Sequence, residues 1–357
     1  MTLKESVKKF VDDRKEYYKQ WMFEEPIIIS KSHNDKLIRV QKIMYKLIYE
    51  FVTNYDDYKH LMPIPTKVEQ IISVFNKKKY KIGTYRTDFV YDENKQVKLI
   101  EITCRFALNG MFLSQLINNV ALDFYNKNKS TFDIQDLYKP IYNLFDGYLK
   151  DVKSIYILKG EDVTNESKIY KDIFERVGYK INEVNYKCVE EHIDSMKDAW
   201  VISELSFDEI TSFSIETIKK LMPLNIINDF RTIFLIHDKR FFSVLGKKEL
   251  LENVLTPEEI LFFNDFYIPT YTSIEEDNIW ESAKNDKDNW ILKHRSLGKS
   301  QKIFAGIVAE KEEWENLFLE KEKKNMVLQK WISQKKIKGE IAGEVFRGAY
   351  LLYKNCN

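Results

Sequence analysis

The stretch YRTDFVYDENKQVKLIEITCRFALNG, Tyr85–Gly110, sets Arg86, Asp88 and Glu101 on alternating positions of two segments separated by DENKQ. Alternation broken by turn-forming residues predicts a β-hairpin, with the charges on one face. Two carboxylates on one strand face repel each other unless positive charge lies between them. A divalent cation is one solution, since Mg²⁺ takes one or two carboxylates and fills its remaining positions with water and phosphate oxygens. Arg86 adds a fixed, planar charge suited to phosphate or carboxylate. A surface ladder, in which Arg86 pairs with Asp88 or Glu101, accounts for the same residues without a ligand.

Two later stretches carry compatible chemistry. In NWILKHRSLGKS a strand ends at Lys293, and a loop with Gly298, Lys299 and Ser300 follows. Loop N–H groups and a nearby ammonium together hold phosphate oxygens, although the first glycine and the spacing of a P-loop are absent. In MVLQKWI an apolar strand is interrupted by Gln329, followed by Lys330, Trp331 and Ile332. Such a segment offers backbone hydrogen bonds and an apolar wall to an adenine, or is a plain buried strand.

The composition narrows the field. The chain has 357 residues, 44% of them apolar, enough for two or three packed domains. Its net charge is +1, which gives no global electrostatic case for nucleic acid or an anionic membrane as partner. Cys104, Cys188 and Cys356 lack metal-ligand spacing and leave an odd thiol in any pairing, so a reducing cytoplasm is the expected location. The five histidines form no zinc spacing and are expected at the surface or in ordinary hydrogen bonds. The N-terminus is amphipathic and lacks a signal core, and no apolar run is long enough to span a bilayer.

The elements that must position these residues follow from periodicity. Thr2 to about Lys78 is expected to be helical, with MPIPT, Met62–Thr66, as a turn. Helical spacing returns over Met111–Tyr125 and Ile134–Tyr148. From Lys153, KSIYILKG, ESKIYKDIFERVGYK and INEVNY predict strand, helix and strand, a βαβ unit that AWVISEL and PLNIINDF extend into a Rossmann-like layer. The Gly160 loop has no GxGxxG fingerprint. TPEEILFFNDF predicts a helix, Lys311–Lys324 another, and GEVFRGAYLLYKN closes the chain.

Together these motifs resemble the ATP-grasp superfamily, in particular its permuted branch with glutathionylspermidine synthetase and eukaryotic glutathione synthetase. In that branch the metal-binding hairpin has the form Arg-x-Asp followed by Glu-x-Asn; RTD (Arg86–Asp88) and EIT (Glu101–Thr103) stand in those places here. The hairpin precedes Lys293, as the permuted order requires. FLIHDKR, Phe234–Arg240, resembles the segment with the first nucleotide lysine, here Lys239. WILKHRSLGKS resembles the second-lysine strand and phosphate loop, VLQKWI the strand touching adenine, and CRFALNG a variant found in small biosynthetic members. The likeness covers roughly residues 80–125 and 225–355. Three features depart from it: Thr103 replaces asparagine, Leu297 lies near the place of a third metal-binding glutamate, and the last strand with its arginine is expected to be missing. Glu340 and Glu344 are the acids available as replacements.

The resemblance implies an α/β (α+β) ATP-grasp-like fold with permuted motif order. It divides the chain into a helical region 1–80, the hairpin and core helices 81–150, a Rossmann-like substrate or lid domain 151–230, and a nucleotide-binding part 231–357. It implies an ATP-dependent carboxylate–amine ligase acting through an acyl phosphate, with small-molecule acid and amine substrates. ATP and Mg²⁺ are the implied cofactors. Asp88, Glu101 and Thr103 would hold the metal, and Arg86 would steady the transferring phosphoryl group. Lys239, Lys293, Gly298, Lys299, Ser300 and Gln329 through Ile332 would bind nucleotide, and Arg105 and Asn109 the acid. The alternatives are a degenerate relative that binds nucleotide or metabolite without turnover, a small-molecule phosphotransferase, and a plain scaffold with surface charge pairs.

Overall fold

The computed structural model describes residues 27–107, 154–162, 178–274, 277–298, 301–334, 346–347 and 351–354, with scattered helical positions at 5 and within 119–124 and 167–175. The region expected to be helical begins differently. Ile27–Ser30 is a strand, β1, and pairs in parallel with the last one. Three consecutive β-branched isoleucines explain the departure, because they crowd a helical turn and suit a pleated surface. Helix α1, Lys31–Thr53, follows at once, and the Ser30 side chain caps it by accepting from the His33 N–H. Its buried face is Leu37, Val40, Ile43, Met44, Leu47, Ile48, Phe51 and Val52, the three-and-four spacing legible in the sequence. Helix α2 spans Thr66–Phe75 beyond the MPIPT turn.

The predicted hairpin is present as β2, Arg86–Tyr91, and β3, Val97–Thr103, paired antiparallel. Asp92 closes the turn by accepting from the N–H groups of Asn94 and Gln96. The register places Asp88 opposite Glu101 and Arg86 opposite Thr103, then jumps so that Phe89 faces Leu99. Ile100 is therefore the extra residue of a β-bulge.

A parallel sheet contains β4 (Ser154–Lys159), β5 (Lys180–Asn185), β6 (Trp200–Ser203) and β7 (Asn225–Ile227) in the order β5-β4-β6-β7. Between them lie α3 (Val189–Met196), α4 (Phe207–Ser212) and α5 (Ile215–Leu221). Four helices follow: α6 (Phe230–Leu235), α7 (Phe241–Leu245), α8 (Lys248–Val254) and α9 (Pro257–Phe266). One continuous apolar core joins α1, α2, the hairpin, the parallel sheet and these helices, from Leu37 to Phe266.

The C-terminal part forms an antiparallel sheet of order β10-β9-β11-β8, made of β8 (Thr270–Thr272), β9 (Trp290–His294), β10 (Ile303–Ala305) and β11 (Met326–Lys330). Trp280, Trp290 and Trp314 fill its separate core, with helices α10 (Asp277–Asn285) and α11 (Lys311–Asn316) contributing the first and the last. The helix expected over Lys311–Lys324 breaks here. Phe318 packs on Trp280 and Trp314, after which Leu319 takes extended backbone and a short turn resumes at Glu320. The segment GEVFRGAYLLYKN holds β12, Phe346–Arg347, and β13, Leu351–Lys354. Strand β12 is the third strand of the hairpin sheet, with Arg347 opposite Asp88, and β13 pairs with β1. Among the described residues no helix is long and apolar enough to cross a membrane.

Asn228 ties the hairpin to the parallel sheet. Its Oδ1 accepts from the Thr84 N–H at 2.7 Å, and its Nδ2 donates to the carbonyls of Thr84 and Cys104 at 2.7 and 2.5 Å. Both open ends of the hairpin are held by this one buried amide. Gly83 allows the approach: at φ +78° a side chain would be strained, and a Cβ there would lie 2.1 Å from Asn228 Oδ1. Substituting Asn228→Ala strands three backbone groups, so we expect a loss of about 2–5 kcal/mol in urea unfolding, given ~1–3 kcal/mol per buried unpaired group. A loss below about 1 kcal/mol would mean that Asn228 is not the anchor.

Candidate active site

The hairpin face points inward. The Asp88 side chain is 4% exposed, and Arg86 Nε and Nη2 grip its two oxygens at 2.7 and 3.1 Å. Arg86 also lies 3.5 Å from Thr103 Oγ1. Glu101, directly across the ladder, takes a different partner, Lys239 Nζ at 3.2 Å. The two acids thus divide the available cations between them, and their mutual repulsion is relieved by a guanidinium from the same strand and an ammonium from far along the chain. The Arg86–Asp88 pair is the one expected of a ladder without a ligand, but both side chains are mostly withdrawn from solvent, and Glu101 is partly exposed.

Lys239 sits in the turn between α6 and α7. Its Nζ also donates to the Leu297 carbonyl at 2.6 Å, and its own N–H donates to the Arg295 carbonyl at 2.8 Å. The turn is thereby fastened to the loop after β9. Lys293, near the end of β9, reaches the hairpin from the other side. Its Nζ donates to Gln329 Oε1 at 2.7 Å and to the Ile100 carbonyl at 3.1 Å. Ile100 is the bulged residue, so the break in the ladder coincides with the carbonyl that Lys293 uses. Burial lowers the Lys293 pKa to about 8, against the pull of Glu101 and with a further push from Lys239. A phosphate bound here would reverse that depression.

The other predicted residues fall into place unevenly. The Gln329 side chain accepts from Lys293 Nζ at 2.7 Å and donates Nε2 to Thr270 Oγ1 at 2.9 Å. Lys330 places its ammonium 3.7 Å above the Trp290 ring. The Trp331 N–H donates to the Asn289 carbonyl, and Trp331 and Ile332 are half-buried just past β11. Gly298 is at the exposed tip of its loop. Arg105 is paired with Asp162 at 3.1 Å and lies 4.0 Å from Glu209. Asn109, Lys299, Ser300, Glu340 and Glu344 lie outside the described residues.

Sequence reasoning missed His237. Its Nδ1 is sealed from solvent and has no hydrogen-bond partner among the described residues, contrary to the expectation of a surface or ordinarily bonded histidine. Burial first, then the charges of Lys239 and Arg105, drive its pKa down to about 3, with Asp238 opposing and Arg86 adding to the depression. The imidazole is therefore neutral at physiological pH. The adjacency of His237 to Lys239 in FLIHDKR was the only signal in the sequence, and spacing alone does not reveal an unpartnered ring nitrogen.

Among the described residues no group of three or more His, Cys, Asp or Glu side chains could hold a metal ion. A site built wholly from protein ligands is thus absent there. Asp88 and Glu101, neighbours across one rung, are the two acids of this face, and each is paired with a cation.

The Lys293 pKa carries a pH prediction. Because the folded value of about 8 lies below the unfolded one, the native state binds fewer protons between the two, and stability rises with pH across that window. Relative to Lys293→Met, the wild type should gain on the order of 1–3 kcal/mol in chemical unfolding between about pH 7.5 and 10. Parallel pH profiles of the two proteins would show that folding does not lower the Lys293 pKa.

No curated protein matches the sequence. Among solved structures, the chain resembles the apo form of a glutathione synthetase-like effector, GSS30, from Globodera pallida. The TM-score is 0.61 at 11% identity, covering 94% of this chain and 81% of that one. The likeness is one of fold: a mixed α/β architecture with parallel and antiparallel sheets. Residues 40–235, more than half of the sequence, match the family model described as the AnkG N-terminal domain, and the chain belongs to that family.

Proposed function

We propose that the protein is an ATP-dependent carboxylate–amine ligase of ATP-grasp type with permuted motif order. The observation that carries this reading is the meeting of Glu101 with Lys239 at 3.2 Å, beside Lys293 on the bulge carbonyl of Ile100. Acids from an early hairpin and lysines from two later segments meet at one place. In this reading the antiparallel sheet and its tryptophan core form the nucleotide-binding part, and the parallel sheet forms the wall for the other substrates.

Asp88 and Glu101 are the residues that would hold Mg²⁺, which supplies charge neutralisation to a bound triphosphate. Lys239 and Lys293 bind phosphate oxygens, exchanging the carboxylate, carbonyl and amide partners they otherwise keep. Arg86 stays fixed by Asp88 and opposes the negative charge of the transferring phosphoryl group. The substrate carboxylate oxygen attacks the γ-phosphorus and ADP departs, leaving an acyl phosphate. The amine nitrogen then attacks the acyl carbon, phosphate leaves with the bonding electrons, and the amine loses a proton. Walls formed by the two sheets hold both reactants and keep water from the intermediate.

A second reading, nucleotide binding without turnover, is favoured by Thr103 at the position of a metal-ligating asparagine. One assay separates the readings. The protein is incubated with ATP, Mg²⁺ and a pool of amino acids, polyamines and small peptides, and ADP and product masses are measured. Ligation predicts ADP together with a product equal to acid plus amine less water. A phosphorylated product would indicate phosphotransfer, and a rise in Tm with ATP but no ADP would indicate binding alone. Asp88→Asn and Glu101→Gln should each lower ADP formation by about 100-fold or more while the fold persists. Unchanged turnover in both variants refutes the assignment.

A further inference from the structure

Lys239 carries its ammonium on a flexible stem, so where the charge stands depends on how firmly the backbone beneath it is held. The residues on either side do the holding. Asp238 and Arg240 fold toward each other around the lysine. The Arg240 backbone N–H donates to Asp238 Oδ1 at 2.9 Å, Nε to Oδ1 and Oδ2 at 3.1 and 3.0 Å, and Nη2 to Oδ2 at 2.7 Å. The two side chains are 12% and 10% exposed, unlike the solvent-screened surface pairs that contribute little. The arrangement needs an arginine. Its planar fork matches both oxygens of a carboxylate, whereas a lysine offers a single point charge.

The remaining nitrogen reaches further. Arg240 Nη1 donates to the Pro63 carbonyl at 2.8 Å. Pro63 belongs to the MPIPT turn, where the rings of Pro63 and Pro65 restrict φ and the Tyr55 hydroxyl donates to the Met62 carbonyl at 2.8 Å. The Lys239 turn is thus tied to the N-terminal helices by Arg240 and to the loop after β9 by the Lys239 N–H. Each guanidinium nitrogen has a protein acceptor, and both Asp238 oxygens accept from it. The pair is placed to hold the turn. A shift of about 1 Å in a charged group is enough to cost much of its effect on a bound ligand.

We propose that Arg240, gripped by Asp238 and tied to the Pro63 carbonyl, is a positioning residue that sets where the Lys239 ammonium stands beside Glu101. The assignment rests on the ligase reading only for naming phosphate as what Lys239 binds. The placement of the ammonium is measured without ligand, so the two ideas fail separately.

The test uses the full chain with ¹⁵N-labelled lysine. The Lys239 ammonium signal is assigned by its loss in Lys239→Met. Held by the Leu297 carbonyl and Glu101, it should exchange slowly with water in the wild type. Arg240→Ala and Asp238→Asn should each move it into the envelope of exposed lysines. Arg240→Lys, which keeps the charge without the fork, should do the same. Thr256→Ala removes the capping box of α9 and lowers stability elsewhere, and it should leave the signal in place. In a second arm, ATP–Mg²⁺ affinity is read from the rise in Tm. Arg240→Ala should weaken it about tenfold in the wild type but less than about twofold in Lys239→Met, because the arginine acts through the lysine. Equal losses in the two backgrounds overturn the proposal. So does a Lys239 signal that Arg240→Ala leaves unmoved, or one that Thr256→Ala displaces equally. A wild type that ignores ATP while its Lys239 signal responds to Arg240→Ala removes the ligase reading and upholds the positioning role.

Discussion

Two carboxylates held on one rung of a buried ladder are the constraint to which the rest of this structure answers. Asp88 and Glu101 face each other across the hairpin, and each is matched by a close cation that offsets their mutual repulsion. Arg86 meets the first need locally, from two residues away on the same strand. Glu101 cannot be served from its own strand and depends on Lys239 in a turn between two later helices. That dependence requires the hairpin, the parallel sheet and the loop after β9 to come together at one place. Asn228 secures the hairpin ends, and the Arg295 and Leu297 carbonyls secure the Lys239 turn.

The junction between the two cores is polar in an instructive way. The large core ends at Phe266, and the tryptophan core begins beyond it as a separate cluster. Three hydrogen bonds cross the boundary: Lys293 to the Ile100 carbonyl, Lys239 to the Leu297 carbonyl, and the Lys239 N–H to the Arg295 carbonyl. Apolar packing is lost when two faces separate, whereas polar partners can be exchanged for those of a ligand at small net cost.

Gln329 shows how one residue can serve a site without touching its ligand. Its amide spans Lys293 and Thr270, fixing the ammonium from strands on either side of the sheet. An apolar residue at this position would leave the Lys293 charge with one protein partner fewer in a buried setting, which is costly. The polar interruption of an apolar strand, ambiguous in the sequence, is thus explained by the lysine it holds. Arg105 and His237 pose the reverse case, with buried nitrogens that the described protein atoms leave unpaired.

Local pattern determined a good deal. Alternation around DENKQ was enough to define the hairpin and put Arg86, Asp88 and Glu101 on one face, because strand side chains alternate with a period of two. Three-and-four spacing gave the buried face of α1, and short apolar segments gave the parallel strands β4 and β5. Other features were decided by contacts between distant parts of the chain. The pairing of β1 with β13, the bulge at Ile100, the join of Lys239 to Glu101, the role of Gln329 and the unpartnered nitrogen of His237 all depend on which segments meet. Sequence periodicity encodes the face a residue presents to its surroundings. Which cation or carbonyl waits there is set only when the burial of both cores fixes the chain's long-range geometry.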